Sequence, residues 1–263
     1  MNETIWYVYV AVLGLAIGSF LNVVIYRLPR KCMFARSRSA CPHCEQQLKW
    51  YHNIPVLSFL ALRGKCAFCG KPISWRYPLV EILNALVFVY FFHSYGLSWY
   101  FAAFAALGSA LIVIFFIDYD FQIIPDSITL PGMALGLAVS FLPGGLTFWQ
   151  SLTGLLVGGG ALYAVAILGD LLFKKESMGG GDIKMAAMLG AFVGWQKTIL
   201  IFMGSAVIGL VVSIAIMAIS EKLRRERLIP FGPFIAMAAM IAIVYGDQII
   251  SFYLVNVVGV AVP

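Results

Sequence analysis

Eight long runs of apolar residues constrain the fold of this 263-residue chain more than any other feature. They cover roughly residues 6–25, 78–96, 98–117, 128–143, 148–169, 183–195, 198–219 and 231–252, and a membrane-spanning helix needs about 20 such residues. The composition agrees, because 62% of the residues are hydrophobic and 11% are charged, whereas a soluble domain averages about 25% charged residues. We therefore predict an all-α polytopic membrane protein with about eight transmembrane helices, of which the fourth and sixth are short.

The net charge of +6 could indicate nucleic-acid binding, but the positions of the basic residues indicate membrane topology instead. Seventeen of the 18 Lys and Arg residues fall in loops that eight spans place on one side, and only Lys197 falls on the other. Because cytoplasmic loops retain basic residues, we expect these loops in the cytoplasm and both termini outside. The first run lacks a preceding basic segment, so we expect a retained helix rather than a cleaved signal.

One loop, between the first two apolar runs, is long enough to form a folded unit of its own. We predict a transmembrane anchor helix in residues 1–26, a cytoplasmic insert in residues 27–77 and a membrane-embedded body in residues 78–263. The insert and the body carry different chemical motifs.

Four of the five cysteines lie in the insert as two C-x-x-C pairs with 21 residues between them: Cys41, Cys44, Cys66 and Cys69. Two such pairs supply the four thiolates that a tetrahedral zinc ion prefers, with a usual spacer of about 15–20 residues. We predict a structural Zn²⁺ site. Two disulfides are the alternative, which a reducing cytoplasm disfavours. A thioredoxin-like redox role fits poorly, because it uses one pair beside a strand-helix unit.

Two carboxylates fall at predicted cytoplasmic helix ends, where an ionisable group is costly and indicates function. Asp118 closes the third apolar run, and Asp182 opens the sixth directly after three glycines, Gly179, Gly180 and Gly181. Two carboxylates about 3 Å apart share a proton and can activate water against an amide carbonyl, as in aspartic proteases. The chain has no H-E-x-x-H and no G-x-S-x-G motif, so it lacks the residues that zinc metalloproteases and serine hydrolases use for catalysis.

These residues also have simpler interpretations. The three glycines could let an extended peptide approach the carboxylates, or could only allow a turn with positive φ. Asp182 could be a helix N-cap, and we interpret Asp126 as the N-cap of the fourth span. Asp120 is two residues from Asp118, so the two cannot share a helix face.

Several motifs together resemble the type IV prepilin leader peptidases, bifunctional bacterial membrane enzymes of the GxGD aspartic type. The matching stretches follow one another along the chain: G-S-F-L-N-V-V-I-Y-R-L-P at 18–29, the two cysteine pairs, N-I-P at 53–55, I-S-W-R-Y-P-L-V-E at 73–81, D-Y-D-F-Q-I-I-P-D at 118–126, M-G-G-G-D-I-K at 178–184 and I-P-F-G-P at 229–233. The resemblance implies that Asp118 and Asp182 form the catalytic pair.

The resemblance also implies the substrates, the methyl donor and the location. Members cut precursors of type IV pilins or pseudopilins after a Gly that ends a short basic leader, at the cytoplasmic face of the bacterial inner membrane. Bifunctional members then methylate the new N-terminus, usually Phe, from S-adenosylmethionine, and the complete cysteine insert favours a bifunctional enzyme. No G-x-G-x-x-G turn marks a donor pocket, and our candidates for methyl transfer are Asn53, Arg76, Tyr77 and Glu81.

Two other classes of protein stay open at this point. An ion- or proton-coupled transporter would use the carboxylates to carry cations, but we find no repeated halves with broken helices. A non-catalytic zinc-binding assembly factor would tolerate Asn in place of either Asp. The expected partners are pilin precursors and the lipid bilayer, with no nucleic acid.

Overall fold

The computed structural model describes residues 3–32, 39–41, 43–174, 178–219 and 230–259. Its α-helices are α1 (Glu3–Arg27), α2 (Leu57–Ala61), α3 (Arg76–Tyr95), α4 (Trp99–Phe121), α5 (Asp126–Val139), α6 (Phe148–Phe173), α7 (Gly180–Ile219) and α8 (Gly232–Tyr253). A 3₁₀ helix at Trp50–Asn53 and a π-helical turn at Leu254–Val258 complete the helical part. Within the described ranges the only β-type pairing is two isolated bridges in the cysteine insert.

Six helices of the described chain are long and apolar enough to cross a membrane, namely α1, α3, α4, α6, α7 and α8. α5 is apolar too but has only 14 residues. The chain is therefore an all-α polytopic membrane protein, as predicted. Each of the eight predicted segments has a counterpart in the structure. One lies in each of α1, α3, α4, α5, α6 and α8, and two lie in α7.

α7 is interrupted at Gly194, which has φ +76° and ψ 170°, a conformation that glycine adopts without a steric penalty. After this break, Lys197 forms an ion pair with Asp247 near the end of α8. Further along, Gly209 lies against the ring of Phe234 near the beginning of α8. The second part of α7, residues 195–219, therefore runs antiparallel to α8.

The first part of α7, residues 180–193, runs in the opposite direction to the second. Gly181 at its start contacts Ile124, and Ile124 also contacts Gly232 at the start of α8. Both helices therefore begin at the same end of their unit and run the same way. The single range Gly180–Ile219 thus contains the sixth and seventh predicted segments, and the sixth is short, as expected.

The chain divides into two compact units, Met1–Ile117 and Asp118–Pro263. The first contains α1, the cysteine insert, α3 and most of α4, and the second contains α5 to α8. α4 continues across the boundary, so Asp118 in its last turn belongs to the second unit. The boundaries that the sequence predicts at residues 27 and 78 stay a prediction.

In the first unit, α1 and α3 approach closely at glycine positions. A Cβ at Gly14 would lie 2.7 Å from the Cα of Ala85, so only glycine allows this contact. The buried Asn84 on α3 donates its Nδ2 to the Gly14 carbonyl at 2.7 Å and accepts the Ser109 hydroxyl of α4 at 2.7 Å. Small residues and shared polar side chains are the usual means of packing helices in membranes.

In the second unit, the first part of α7 packs between α6 and α5. Gly154 and Gly158 on α6 lie directly against the backbone of Gly190 and Ala186 on α7. The buried Ser151 hydroxyl donates to the carbonyl of Ala191 at 2.6 Å. This close packing fixes the helix that begins with Asp182.

Candidate active site

Asp118 lies in the last turn of α4 and is 5% exposed. Its Oδ2 accepts the backbone N–H of Gly232 at 3.0 Å, at the beginning of α8. A Cβ at Gly232 would lie 2.6 Å from that oxygen, so the missing side chain is what lets the two helices meet here. Gly232 was not among the residues predicted from the sequence, although it falls in the matched I-P-F-G-P stretch.

Asp182 is half-buried in the first turn of α7, which begins at Gly180. It is the third residue of the helix and not its N-cap, so that alternative interpretation is wrong. Its backbone N–H donates to the Gly179 carbonyl at 3.1 Å. Its Oδ1 is buried and has no hydrogen-bond partner among the described residues. Buried polar atoms are nearly always paired, so this oxygen is left for a water molecule or a substrate.

The structure brings the two carboxylates together around Ile124. The Ile124 side chain contacts Gly181, next to Asp182, and also Gly232, which binds Asp118. The two carboxylates lie close enough for the charge of Asp118 to affect Asp182. Ile124 was absent from the candidates because an isoleucine has no chemical signal of its own.

The three glycines before Asp182 differ in what surrounds them. A Cβ at Gly180 would meet nothing within 4 Å, and one at Gly179 would lie 3.4 Å from Asp182 Oδ2. A Cβ at Gly181 would lie 2.8 Å from the Cβ of Ile124. None of the three has a positive φ, so a left-handed turn does not explain them. Gly181 permits helix packing, whereas Gly180 borders open space.

Asp126 does not cap α5, contrary to the sequence-based prediction. Pro125 occupies the N-cap position without a side-chain cap bond. Asp126 instead binds Lys184 Nζ with both oxygens, at 2.8 and 2.7 Å. Because Lys184 lies two residues after Asp182, this ion pair joins the beginning of α5 to the beginning of α7. Asp120 is exposed, as expected for a residue off the face of Asp118.

The four cysteines of the insert form one cluster. Their Sγ atoms all lie within 4.8 Å of one another, and Cys41 and Cys69 are 3.9 Å apart. Four sulfurs that each lie about 2.3 Å from a tetrahedral zinc ion are about 3.8 Å apart, so the cluster is placed to hold a metal ion. All four are free thiols, and the two-disulfide arrangement is not what the structure contains.

Each cysteine pair lies on a small hairpin with the same hydrogen bonds. Cys41 N–H donates to the Gln46 carbonyl at 3.0 Å, and Cys66 N–H donates to the Lys71 carbonyl at 2.9 Å. The backbone N–H groups of Cys69 and Phe68 lower the pKa of Cys66 to about 6. A lowered pKa favours the thiolate, the form that binds metals.

A cavity of about 610 Å³ lies inside the first unit, between the cysteine insert and helices α1 and α3. Three of the four methyl-transfer candidates, Asn53, Tyr77 and Glu81, line it. Asn22 of α1 also lines it and donates to the Tyr77 carbonyl at 3.1 Å. Asn22 was not among the residues predicted from the sequence, although it lies in the matched stretch 18–29.

Arg76, the fourth candidate, is not among the residues that line this cavity. Its guanidinium lies 4.5 Å from the centroid of the Phe116 ring and donates from Nη2 to the Phe116 carbonyl at 3.2 Å. A cation near the last carbonyls of a helix is favourable. Arg76 thus holds the end of α4, two residues before Asp118.

Comparison with known proteins agrees with this architecture. Residues 12–95 match the bacterial peptidase A24 N-terminal domain, and residues 105–214 match the type IV leader peptidase family. A protein of Stutzerimonas stutzeri is 40% identical over 92% of this chain and 92% of its own. One of Myxococcus xanthus is 43% identical over 79% of this chain and 62% of its own, and one of Pseudomonas aeruginosa is 36% identical over 92% and 91%. All three are named prepilin leader peptidase/N-methyltransferase. No solved structure matches.

The helices and these matches together define the class, a multi-pass membrane peptidase. The chain belongs to the type IV leader peptidase family. It is therefore an enzyme.

Proposed function

We propose that this enzyme cleaves the leader of type IV prepilins or pseudopilins after Gly and then methylates the new N-terminal residue from S-adenosylmethionine. The observation that carries the proposal is the meeting of Asp118 and Asp182 around Ile124, where Asp182 Oδ1 has no partner in the described part of the chain. The names of the relatives support both activities.

In the cleavage step, the two carboxylates act as one acid and one base. One keeps a proton and donates it to the scissile carbonyl oxygen, while the other removes a proton from the attacking water. The N–H of Gly232 fixes one oxygen of Asp118. Asp182 Oδ1 is the oxygen left to contact the water. The open space at Gly180 is where we place the extended leader junction.

Methyl transfer is assigned to the cavity of the first unit. Its volume of about 610 Å³ falls in the usual range of roughly 300–1,000 Å³ for small-molecule sites, and Asn53, Tyr77 and Glu81 would hold the donor and the substrate amine. When bound, S-adenosylmethionine supplies a methyl group activated by its positive sulfur. Zinc in the four-cysteine cluster would be structural, because four protein ligands leave no open coordination position. Cys41 and Cys66 also form part of the cavity wall.

The enzyme is placed in the bacterial inner membrane with the carboxylates at the cytoplasmic face and both termini outside. Lys184 lies at the helix ends that carry Asp118 and Asp182, whereas Lys197 lies beside the end of α8. This distribution agrees with retention of basic residues in the cytoplasm. Other basic residues of the charge argument lie outside the described residues: Arg36, Arg38, Lys175, Lys222, Arg224, Arg225 and Arg227.

The test is a single assay with purified enzyme, a synthetic prepilin and isotope-labelled S-adenosylmethionine, in which mass spectrometry follows both products. Asp118→Asn and Asp182→Asn should each abolish cleavage, because neither amide can exchange the required proton. Asp120→Asn, at an exposed position, is the matched control and should retain activity. Full cleavage by either of the first two variants would contradict the catalytic roles proposed for the two carboxylates.

A further inference from the structure

Glu81 on α3 is a buried carboxylate that forms no ion pair with the described residues. It is 7% exposed and lines the cavity of the first unit. Its Oε2 accepts the backbone N–H of Val56 at 2.8 Å, and the Ser19 hydroxyl also donates to it. No Lys or Arg of the described chain forms an ion pair with it. A buried charge normally requires a charged partner, and among the described residues none pairs with Glu81, although Arg27 and Lys71 line the same cavity.

The contact with Val56 also indicates that the Glu81 side chain is held in one position. Val56 has φ +57° and ψ −48°, a region that a β-branched residue rarely adopts. Residues in such conformations persist only where their surroundings hold them, and they concentrate at functional sites. Here the Glu81 carboxylate binds the N–H of the strained residue. The turn that carries Asn53 is therefore anchored to Glu81, on the wall of the same cavity.

We propose that Glu81 binds the positively charged amine of the newly cleaved N-terminus and removes its proton. This inference rests on the methyl transfer proposed above. Protonated amines have no lone pair, so the N-terminal ammonium, with a usual pKa of about 7.7–8.0, must lose a proton before it can attack a methyl carbon.

The proton and the electrons balance without another reactant. The ammonium gives one proton to the Glu81 carboxylate, which becomes a carboxylic acid, and the amine gains a lone pair. That pair forms the N–C bond to the methyl group, and the electrons of the broken C–S bond stay on sulfur, which becomes neutral. The acid proton then leaves to water through the cavity. Glu45, the other carboxylate of the lining, is exposed and would interact less strongly with a cation.

Two histidines also line the cavity. His43 is exposed, whereas the Nδ1 of His52 is buried without a hydrogen-bond partner among the described residues, so His52 is the rival group for accepting the proton. An imidazole never carries the negative charge that attracts an ammonium ion. Binding measurements without any methyl donor therefore distinguish the role of Glu81 from that of His52.

The experiment compares two fluorescent peptides with the sequence of a mature pilin N-terminus, one with a free amine and one with an acetylated amine. Full-length, metal-loaded enzyme should bind the free amine at least about tenfold more tightly, the effect of one desolvated charge pair. Glu81→Gln should abolish this preference, because Gln still accepts the Val56 N–H but has no charge. Glu81→Asp should retain part of it. Glu45→Gln and His52→Gln should leave it unchanged.

Zinc content and melting temperature of Glu81→Gln serve as the check on folding of the first unit, and labelled methyl transfer by the same variant should fall with the loss of binding preference. Retention of the free-amine preference by Glu81→Gln, or its loss in His52→Gln instead, overturns the assignment. So does a Glu81→Gln variant that loses affinity for S-adenosylmethionine but not for its neutral thioether product, since Glu81 would then contact the donor. If the wild-type enzyme methylates nothing, the proposed function itself fails.

Discussion

The absence of a side chain at position 232 decides where Asp118 can lie. A Cβ there would lie 2.6 Å from Asp118 Oδ2, and the carboxylate cannot withdraw easily because it is buried in the last turn of α4. We expect Gly232→Ala to displace the carboxylate and to lower the cleavage rate by about 10²-fold, the usual cost of a 1 Å misplacement. Cleavage and thermal stability should be measured together.

Gly204→Ala is the matched control for this prediction. Gly204 lies on α7, and its added Cβ would make an ordinary contact at 3.4 Å with the Cβ of Ala238. This variant should keep both cleavage and stability. Wild-type activity in Gly232→Ala would show that the contact with Asp118 is dispensable.

Gly180 and Gly181 allow the approach of substrate to be separated from helix packing. Gly180→Ala adds a methyl group to open space, so stability should be unchanged while cleavage slows if the leader junction passes there. Gly181→Ala should lose stability as well, because its Cβ would overlap Ile124. Rates of prepilin cleavage and melting temperatures for both variants test this. Unaltered cleavage in Gly180→Ala would remove the reason to place the substrate at this point.

At the scale of elements, the two cysteine hairpins form part of the wall of the cavity. Replacing Cys41 and Cys44 with Ser should remove zinc, which we expect at one ion per chain, and should abolish methylation before cleavage is affected. The physical reason is that structural zinc contributes folding energy to its own loop, whereas the carboxylates belong to the second unit. Metal analysis together with the two-product assay measures both effects.

A Cys32→Ser variant is the control for this experiment, since Cys32 lies outside the cluster. It should retain zinc and methylation. Metal-free wild-type enzyme that methylates at full rate would refute the structural role of zinc, and equal losses of both activities would refute the separation of the two chemistries.

The helices and their approximate ends could be predicted because the underlying signals are local. Runs of apolar residues define the spans, and Asp118 and Asp182 stand at the ends of such runs. The contacts that complete the site are not local. Asp126 binds Lys184, 58 residues away, and the N–H that holds Asp118 comes from Gly232, 114 residues away. Spacing rules carry no information about such partners, so the sequence-based role of Asp126 was wrong.

At the scale of the whole molecule, the two proposed chemistries belong to two compact units. The carboxylates, Ile124 and Gly232 all lie in Asp118–Pro263, and the cavity with Glu81 lies in Met1–Ile117. α4 belongs to both units, because the helix continues across the boundary between them. Arg76 binds its Phe116 carbonyl, two residues before Asp118. The cavity itself was not predictable, because residues from α1, the insert and α3 form it jointly.

The two short helices beside the carboxylates have a consequence for the lipid around the enzyme. α5 and the first part of α7 lie side by side through Gly132 and Met188, and each has 14 residues, about 21 Å of helix. A hydrocarbon layer is about 30 Å thick, so the bilayer must thin locally around these helices, and this cost rises with every ångström of mismatch. Cleavage should therefore be faster in bilayers of short acyl chains than in thick ones.

Methylation of a precleaved peptide is the internal control, because the 25 residues of α1 and the 20 of α3 match an ordinary bilayer. Rates in reconstituted bilayers of graded thickness should diverge for the two reactions, and parallel rates would contradict the mismatch argument. Lipid composition then acts as a selective control of the peptidase. In a thicker membrane, pilins that have already been cleaved could still be methylated, whereas the cleavage of further prepilins would be slower.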